Sequence, residues 1–186
     1  MNALGLANAV LEGEDPKEFL RRQSQQMTGR LQPFITAYFE AMLWSTNLPP
    51  FGRCPLCGED RVLDRWDEED EFVCQNCSDR EAHHEPPADA NYSFDAISDE
   101  LRRKSTDDCQ KFYQENAVDL ASVGQIEGWP AMEMAGHDFW LTRNGHGVGF
   151  LDRYDWPEGV AERLDEAARR YGEVYLYVGA DRKIHV

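Results

Sequence analysis

The sequence predicts an α+β fold: helices packed on a small antiparallel sheet, with a four-cysteine zinc ribbon inserted between them. Three observations predict it. Helical spacing of apolar residues recurs over 33–45, 98–122 and 157–172; short runs of β-formers close the chain; and two Cys-x-x-Cys pairs stand between proline-rich joints. A chain of 186 residues, 41% hydrophobic and 11% aromatic, suffices to bury one core of this kind.

Residues 1–14 are small and mixed, and read as a loose helical turn or a disordered lead. Asp15-Pro16-Lys17-Glu18 is a helix start, with Asp15 as cap, Pro16 at the first helical position and Glu18 completing a capping box. This helix is expected to end near Gly29. A second starts at Gln32-Pro33, and the three- and four-residue spacing of Phe34, Ile35, Tyr38, Phe39, Met42 and Leu43 carries it to about Ser45 as a core helix.

The prolines of 46–52 mark a linker. After it come Cys54 and Cys57, then Cys74 and Cys77 after sixteen intervening residues. Two such knuckles bring four thiolates to one tetrahedral ion, and Gly58 permits the tight turn that follows the first. Four thiolates close the coordination shell, so the expected cofactor is a structural Zn2+. Residues 61–63 and 71–73 read as the two strands of the ribbon, joined by the acidic tip Asp67-Glu68-Glu69-Asp70. A second linker spans 79–91, where His83 and His84 read as a solvated pair. The expected organisation is a core of residues 1–52 and 80–186 with a zinc-ribbon insertion at 53–79.

Ser98-Asp99-Glu100 opens a long helix to about Ser122, with Leu101, Cys109, Phe112, Tyr113, Asn116 and Leu120 on one arc. Cys109 on that arc behaves as a small hydrophobe rather than a nucleophile. Residues 124–136 read as a connector. Residues 137–153 read as a β-hairpin, because Asn144-Gly145 between apolar runs is a strong hairpin signal. Pro157 then lies in the first turn of a last helix whose buried side is Val160, Leu164, Ala167, Ala168 and Tyr171, and Gly172 ends it. Residues 174–178 and 183–186 read as two strands joined by a turn.

Formal charge is −16 and unevenly spread. Residues 54–81 carry ten acids against three bases and residues 82–136 eleven against four, whereas the two ends are near neutral. Such a surface repels phosphate backbones and favours basic partners; its plainer role is to keep a small protein soluble. No run of 18 apolar residues and no basic, apolar leader is present, so neither a membrane span nor a secretory signal is expected, and the cytoplasm is the default location.

The segment 135–147, AGHDFWLTRNGHG, followed by GFLDR at 149–153, resembles a family of small bacteriophage and prophage proteins. The helix PFITAYFEAMLWS at 33–45 and the ending from Gly172 to Gly179 are similar to that family as well, so that the likeness covers most of 31–48 and 92–186. The resemblance implies a phage origin, hence the host cytoplasm, and no particular activity. The ribbon departs from it, standing where relatives have a short loop.

The sequence leaves three functions open. The first is a small acidic accessory protein that binds a host or phage protein with a basic surface, and in its sharper form imitates DNA to inhibit host defence. The second is a metal-dependent or acid–base enzyme using His137, Asp138, Arg143, His146 and Asp152, against which stands a hairpin whose charges satisfy one another, Arg143 pairing with Asp152. The third is nucleic-acid binding through the ribbon, with Arg65 and Trp66 stacking on a base; the surrounding acid opposes it. Oligomeric state is not legible.

Overall fold

A computed structural model describes residues 16–67, 71–78, 80 and 85–186. The expectations for residues 1–14, the Asp15 cap, Glu68 to Asp70, His83, His84 and the Trp66 side chain lie outside what it describes. The fold is α+β, with five α-helices among the described residues, two-stranded antiparallel ladders and a clustered four-cysteine ribbon. No helix among the described residues is long and apolar enough to cross a membrane.

Helix α1 (Pro16–Ser45) is continuous, not broken at Gly29 as the sequence suggested, and holds Pro33 in its interior. Proline removes one donor, here the partner of the carbonyl four residues earlier. That carbonyl belongs to Gly29, which is exposed, so water can replace the missing bond. The burial of Phe34, Tyr38 and Met42 on one face then holds the helix together across the proline.

Helix α2 (Asp99–Glu115) starts at the Ser98 cap, whose hydroxyl accepts from the Leu101 amide at 3.3 Å. It does not run on to Ser122. Asn116 leaves the helical conformation, its side chain donating to the Phe112 carbonyl at 2.8 Å, and a short helix α3 (Ala117–Ala121) follows. Of the residues placed on the inner arc, Leu101, Cys109, Phe112, Tyr113 and Leu120 are buried, and Asn116, where the helix ends, is half-buried.

The segment read as a connector contains a hairpin, β5 (Gln125–Ile126) with β6 (Trp129–Pro130). Glu127 and Gly128 both take positive φ, 50° and 83°, as a two-residue turn of this hand requires.

The largest correction concerns 137–153. There is no β-hairpin there. Residues Ala131–Arg143 form helix α4, buried nearly all round. A helix that is apolar on every side gives no 3.6-residue pattern, and the alternation of Phe139, Trp140 and Leu141 then imitates a strand. Asn144-Gly145 is a turn signal with a different meaning. Gly145 (φ 67°) ends the helix: its amide donates to the Thr142 carbonyl and the His146 amide to the Leu141 carbonyl, the paired bonds of a Schellman cap. A 3-10 turn (Phe150–Asp152) leads from it to α5 (Val160–Arg169), and β7 (Tyr177–Val178) pairs with β8 (Ile184–His185). Helix α5 begins three residues past Pro157, with Val160, Leu164, Ala167 and Ala168 buried as expected, whereas Tyr171 lies just past its end and is half-buried.

Helix α4 lies along α1. A Cβ on Gly136 would overlap the Phe34 carbonyl oxygen and stand 3.1 Å from the Ala37 Cβ, so only glycine permits the approach. Around it Phe112 stacks on Phe139 at 4.2 Å, and Tyr38 meets Trp140 edge to face at 5.3 Å. The Trp140 indole donates to the Ser45 hydroxyl at 2.8 Å.

Gly136→Ala should lower stability by about 2–3 kcal/mol through overpacking, although alanine is the better helix former by about 1 kcal/mol. The shift in the urea midpoint measures it, and a gain in stability would show that the two helices are not held this closely.

Candidate metal centre

Strand β1 (Phe51–Arg53) pairs with β2 (Asp60–Val62), and their turn carries Cys54 and Cys57. The Gly58 amide donates to the Cys54 carbonyl at 2.8 Å, with Gly58 at φ 73°, and the Cys54 amide to the Glu59 carbonyl at 2.9 Å. Strand β3 (Arg65–Trp66) pairs with β4 (Phe72–Val73), which delivers Cys74 and Cys77. The ribbon is thus two short ladders, not the single pairing of 61–63 with 71–73 expected from the sequence. The chain turns between them at Leu63, whose amide donates to the Pro50 carbonyl and whose side chain joins Val73, Cys54 and Cys74 in a small core of their own.

The four ligand sulfurs lie within 4.8 Å of one another. Cys57 and Cys74, and Cys74 and Cys77, are each 3.7 Å apart at sulfur. Those separations are far beyond a disulfide bond of about 2.05 Å, and close to the roughly 3.8 Å edge of a tetrahedron with metal–sulfur bonds of about 2.3 Å. The cluster can therefore hold a metal ion. Its thiols are unequal on their own. Burial raises Cys54, but hydrogen bonds from the backbone of Cys74, Cys57 and Leu56 outweigh it and bring the thiol down to about 6. Burial, and then the neighbouring thiols of Cys57, Cys74 and Cys54, push Cys77 up to about 12. A central cation would supply the charge that lets all four ionise together. Cys109 stands apart: it is fully buried and its thiol is raised by that burial, as befits a core residue.

The residues considered for catalysis do not converge. Among the described residues the cysteine cluster is the one group of three or more His, Cys, Asp or Glu side chains placed to hold a metal ion. Asp138 is fully buried and accepts from Arg153 Nε at 2.7 Å and from the Trp156 indole at 2.9 Å. Burial pushes its carboxyl up, and these two donors oppose that shift. Arg153 reaches on to Glu127 at 2.8 Å, tying the Gln125–Pro130 hairpin to α4.

Arg143 is likewise consumed. Its guanidinium donates to the carbonyls of Gly172 and Tyr171, to the Tyr38 hydroxyl, and to Asp108 Oδ2 at 3.0 Å. The expected pair with Asp152 is not made. Asp152 is exposed and instead accepts from the Gly149 amide at 3.2 Å. His146 is exposed in the turn after α4. His137 sits 3.8 Å from Glu40 with its ring 6.4 Å from that of Trp44. Sequence reasoning missed the partners Asp108, Tyr38, Glu127 and Trp156, because pairings across 18 to 105 residues leave no local pattern.

No family model, no curated protein and no solved structure matches this chain.

Half-burial lowers the pKa of His137, an effect that the charges of Glu40 and Asp138 only partly offset. A histidine whose folded pKa lies below its unfolded value of about 6.5 favours the native state above that pH and loses this contribution as pH falls through the folded value. Stability should therefore drop more steeply on acidification from about pH 6.5 in the natural protein than in His137→Asn. Parallel slopes of urea midpoint against pH for the two proteins would refute this.

Proposed function

We propose that the four cysteines hold one structural zinc ion per chain, and that the protein is a small acidic accessory protein of bacteriophage type that binds a protein partner with a basic surface. The observation that carries the metal is the cluster of four sulfurs at tetrahedral spacing. Thiolates select soft or borderline cations, and a shell of four leaves no position for water or substrate. The role is then to brace the two knuckles.

The binding reading rests on the net charge of −16 together with the fate of the charges in and around α4. Asp138 and Arg143 serve packing, which removes the two buried ionisable groups that an enzyme on this segment would have used. What distinguishes the surface is its acid, concentrated in the ribbon and the segment after it. That charge suits a basic protein patch and opposes nucleic acid, and it steers association in a way that salt weakens. In the sharper form of this proposal the carboxylates occupy the groove of a host defence enzyme in place of phosphates.

Elemental analysis should find one zinc per chain, with Cys54, Cys57, Cys74 and Cys77 slow to react with alkylating agents until a chelator is added. A folded, metal-free protein whose four thiols are modified at once would sink the zinc assignment. For the binding reading, zinc-loaded protein should cross-link in a bacterial lysate to a protein with a basic surface, and release it as salt is raised. Recovery of nucleic acid alone, with a steep salt slope, would replace this reading by the nucleic-acid one.

A further inference from the structure

The four cysteines of the ribbon are not equally covered. Cys54 and Cys74 are buried and Cys77 partly so, whereas Cys57 is exposed, beside the exposed Pro55 and Leu56 of the first knuckle. A central cation holds all four as thiolates, so access rather than acidity decides which of them meets an incoming reagent first. A second asymmetry lies next to it. A Cβ on Gly58 would stand 3.4 Å from the Arg53 guanidinium, which therefore lies against the residue that follows Cys57. Among the described residues no carboxylate is within salt-bridge distance of Arg53, whereas Arg61 on the neighbouring strand is held by Glu59. The exposed thiolate thus has a cation beside it that no protein carboxylate has neutralised.

The sulfur able to combine with it comes from the other knuckle. Cys74 Sγ is 3.7 Å from Cys57 Sγ, and the pair need close by only roughly 1.7 Å to reach the bonding distance of about 2.05 Å. Cys77 is equally near to Cys74. Cys57, however, is the thiol that solvent reaches, so it is the one activated for attack by a neighbour.

We propose that Cys57 is an oxidation site, and that a hydroperoxide converts the metal cluster into a Cys57–Cys74 disulfide. The Cys57 sulfur attacks one oxygen of the O–O bond and becomes a sulfenic acid as hydroxide leaves, with the Arg53 charge stabilising that anion. The Cys74 sulfur then displaces a second hydroxide and forms the S–S bond. The two thiolates lose two electrons, and hydrogen peroxide, taking two protons from solvent, leaves as two waters. With two of its four ligands gone, the ion is released. The inference rests on the zinc reading and gives the cluster a second role. The new bond joins the same two knuckles, so the ribbon, whose own core is only Leu63, Val73, Cys54 and Cys74, keeps a cross-link when it loses its metal.

The test treats the zinc-loaded full chain with hydrogen peroxide, beside a chromogenic chelator too weak to strip the untreated protein. At half-release the sample is denatured, alkylated and digested with trypsin. Cys54 and Cys57 lie in the tryptic peptide 54–61, and Cys74 and Cys77 in 66–80, so a Cys57–Cys74 bond joins the two peptides whereas a bond within either knuckle does not. Mass spectrometry should find the joined peptides in step with zinc release, with Cys54, Cys77 and Cys109 alkylated. Cys57→Ser should slow release about tenfold; if that variant does not hold zinc, the peptide map of the unsubstituted protein decides. Arg53→Gln should slow it about threefold, and Arg103→Gln, on the exposed side of α2, should leave it unchanged. Bonds confined within 54–61 or within 66–80, or thiols that stay fully alkylatable, would overturn the proposal, and equal rates in the two arginine variants would overturn the part given to Arg53. A protein isolated without zinc is recognised before peroxide is added, and overturns the metal reading itself.

Discussion

The close contact of α4 with α1 at Gly136 is the constraint on which the rest of the structure depends. With no side chain at that position, the backbone of α4 rests on the Phe34 carbonyl and against Ala37. The rings that α4 carries then fall into register: Phe139 between Phe112 and Tyr38, and Trp140 against Tyr38 and Ser45. A bulkier residue would force the helices apart and open voids beneath these rings, and close-packed interiors tolerate voids poorly.

Once α4 is central, its charged residues become internal fasteners. Arg143 reaches α1 through Tyr38, α2 through Asp108, and the end of α5 through the carbonyls of Tyr171 and Gly172. Asp138 binds Trp156 and Arg153, and through Arg153 the Gln125–Pro130 hairpin. Buried charges that lose a partner cost several kcal/mol, so such fasteners fix one arrangement of the elements more than they add net stability. Groups held this firmly by protein partners are poorly placed to move protons for a substrate.

The ribbon stands in a different relation to the core. Its interior is a separate small cluster of Leu63, Val73, Cys54 and Cys74, too few apolar groups to hold it without a further cross-link. Four sulfurs around one cation are such a cross-link. Contact with the main body comes from Phe51 and Val62 packing against the large core, from the Tyr92 hydroxyl on the Pro49 carbonyl, and from Arg182 on Asp60. The Asn47–Pro87 bridge draws the two ends of the excursion together. The seam joins the four-cysteine module to the C-terminal hairpin, with Asp60 and Asp64 beside it.

By itself the sequence determined the fold class, the four-cysteine set, the inner arc of α2 and the buried side of α5. Each is a matter of local spacing: two thiols three residues apart, or apolar residues recurring at the helical period, mean the same in most surroundings. The tertiary structure decided what 131–153 would be. There the alternating aromatics and Asn144-Gly145 suited a strand pair, and a helix won because burial on all sides removed the pattern that would have announced it, while Gly145 became a helix cap. It also decided the partners of Asp138, Arg143 and Arg182, which lie on elements distant in the chain. Local spacing records which faces must be buried, but not which other faces will bury them, and on that second choice the use of Asp138, Arg143 and Arg182 depends.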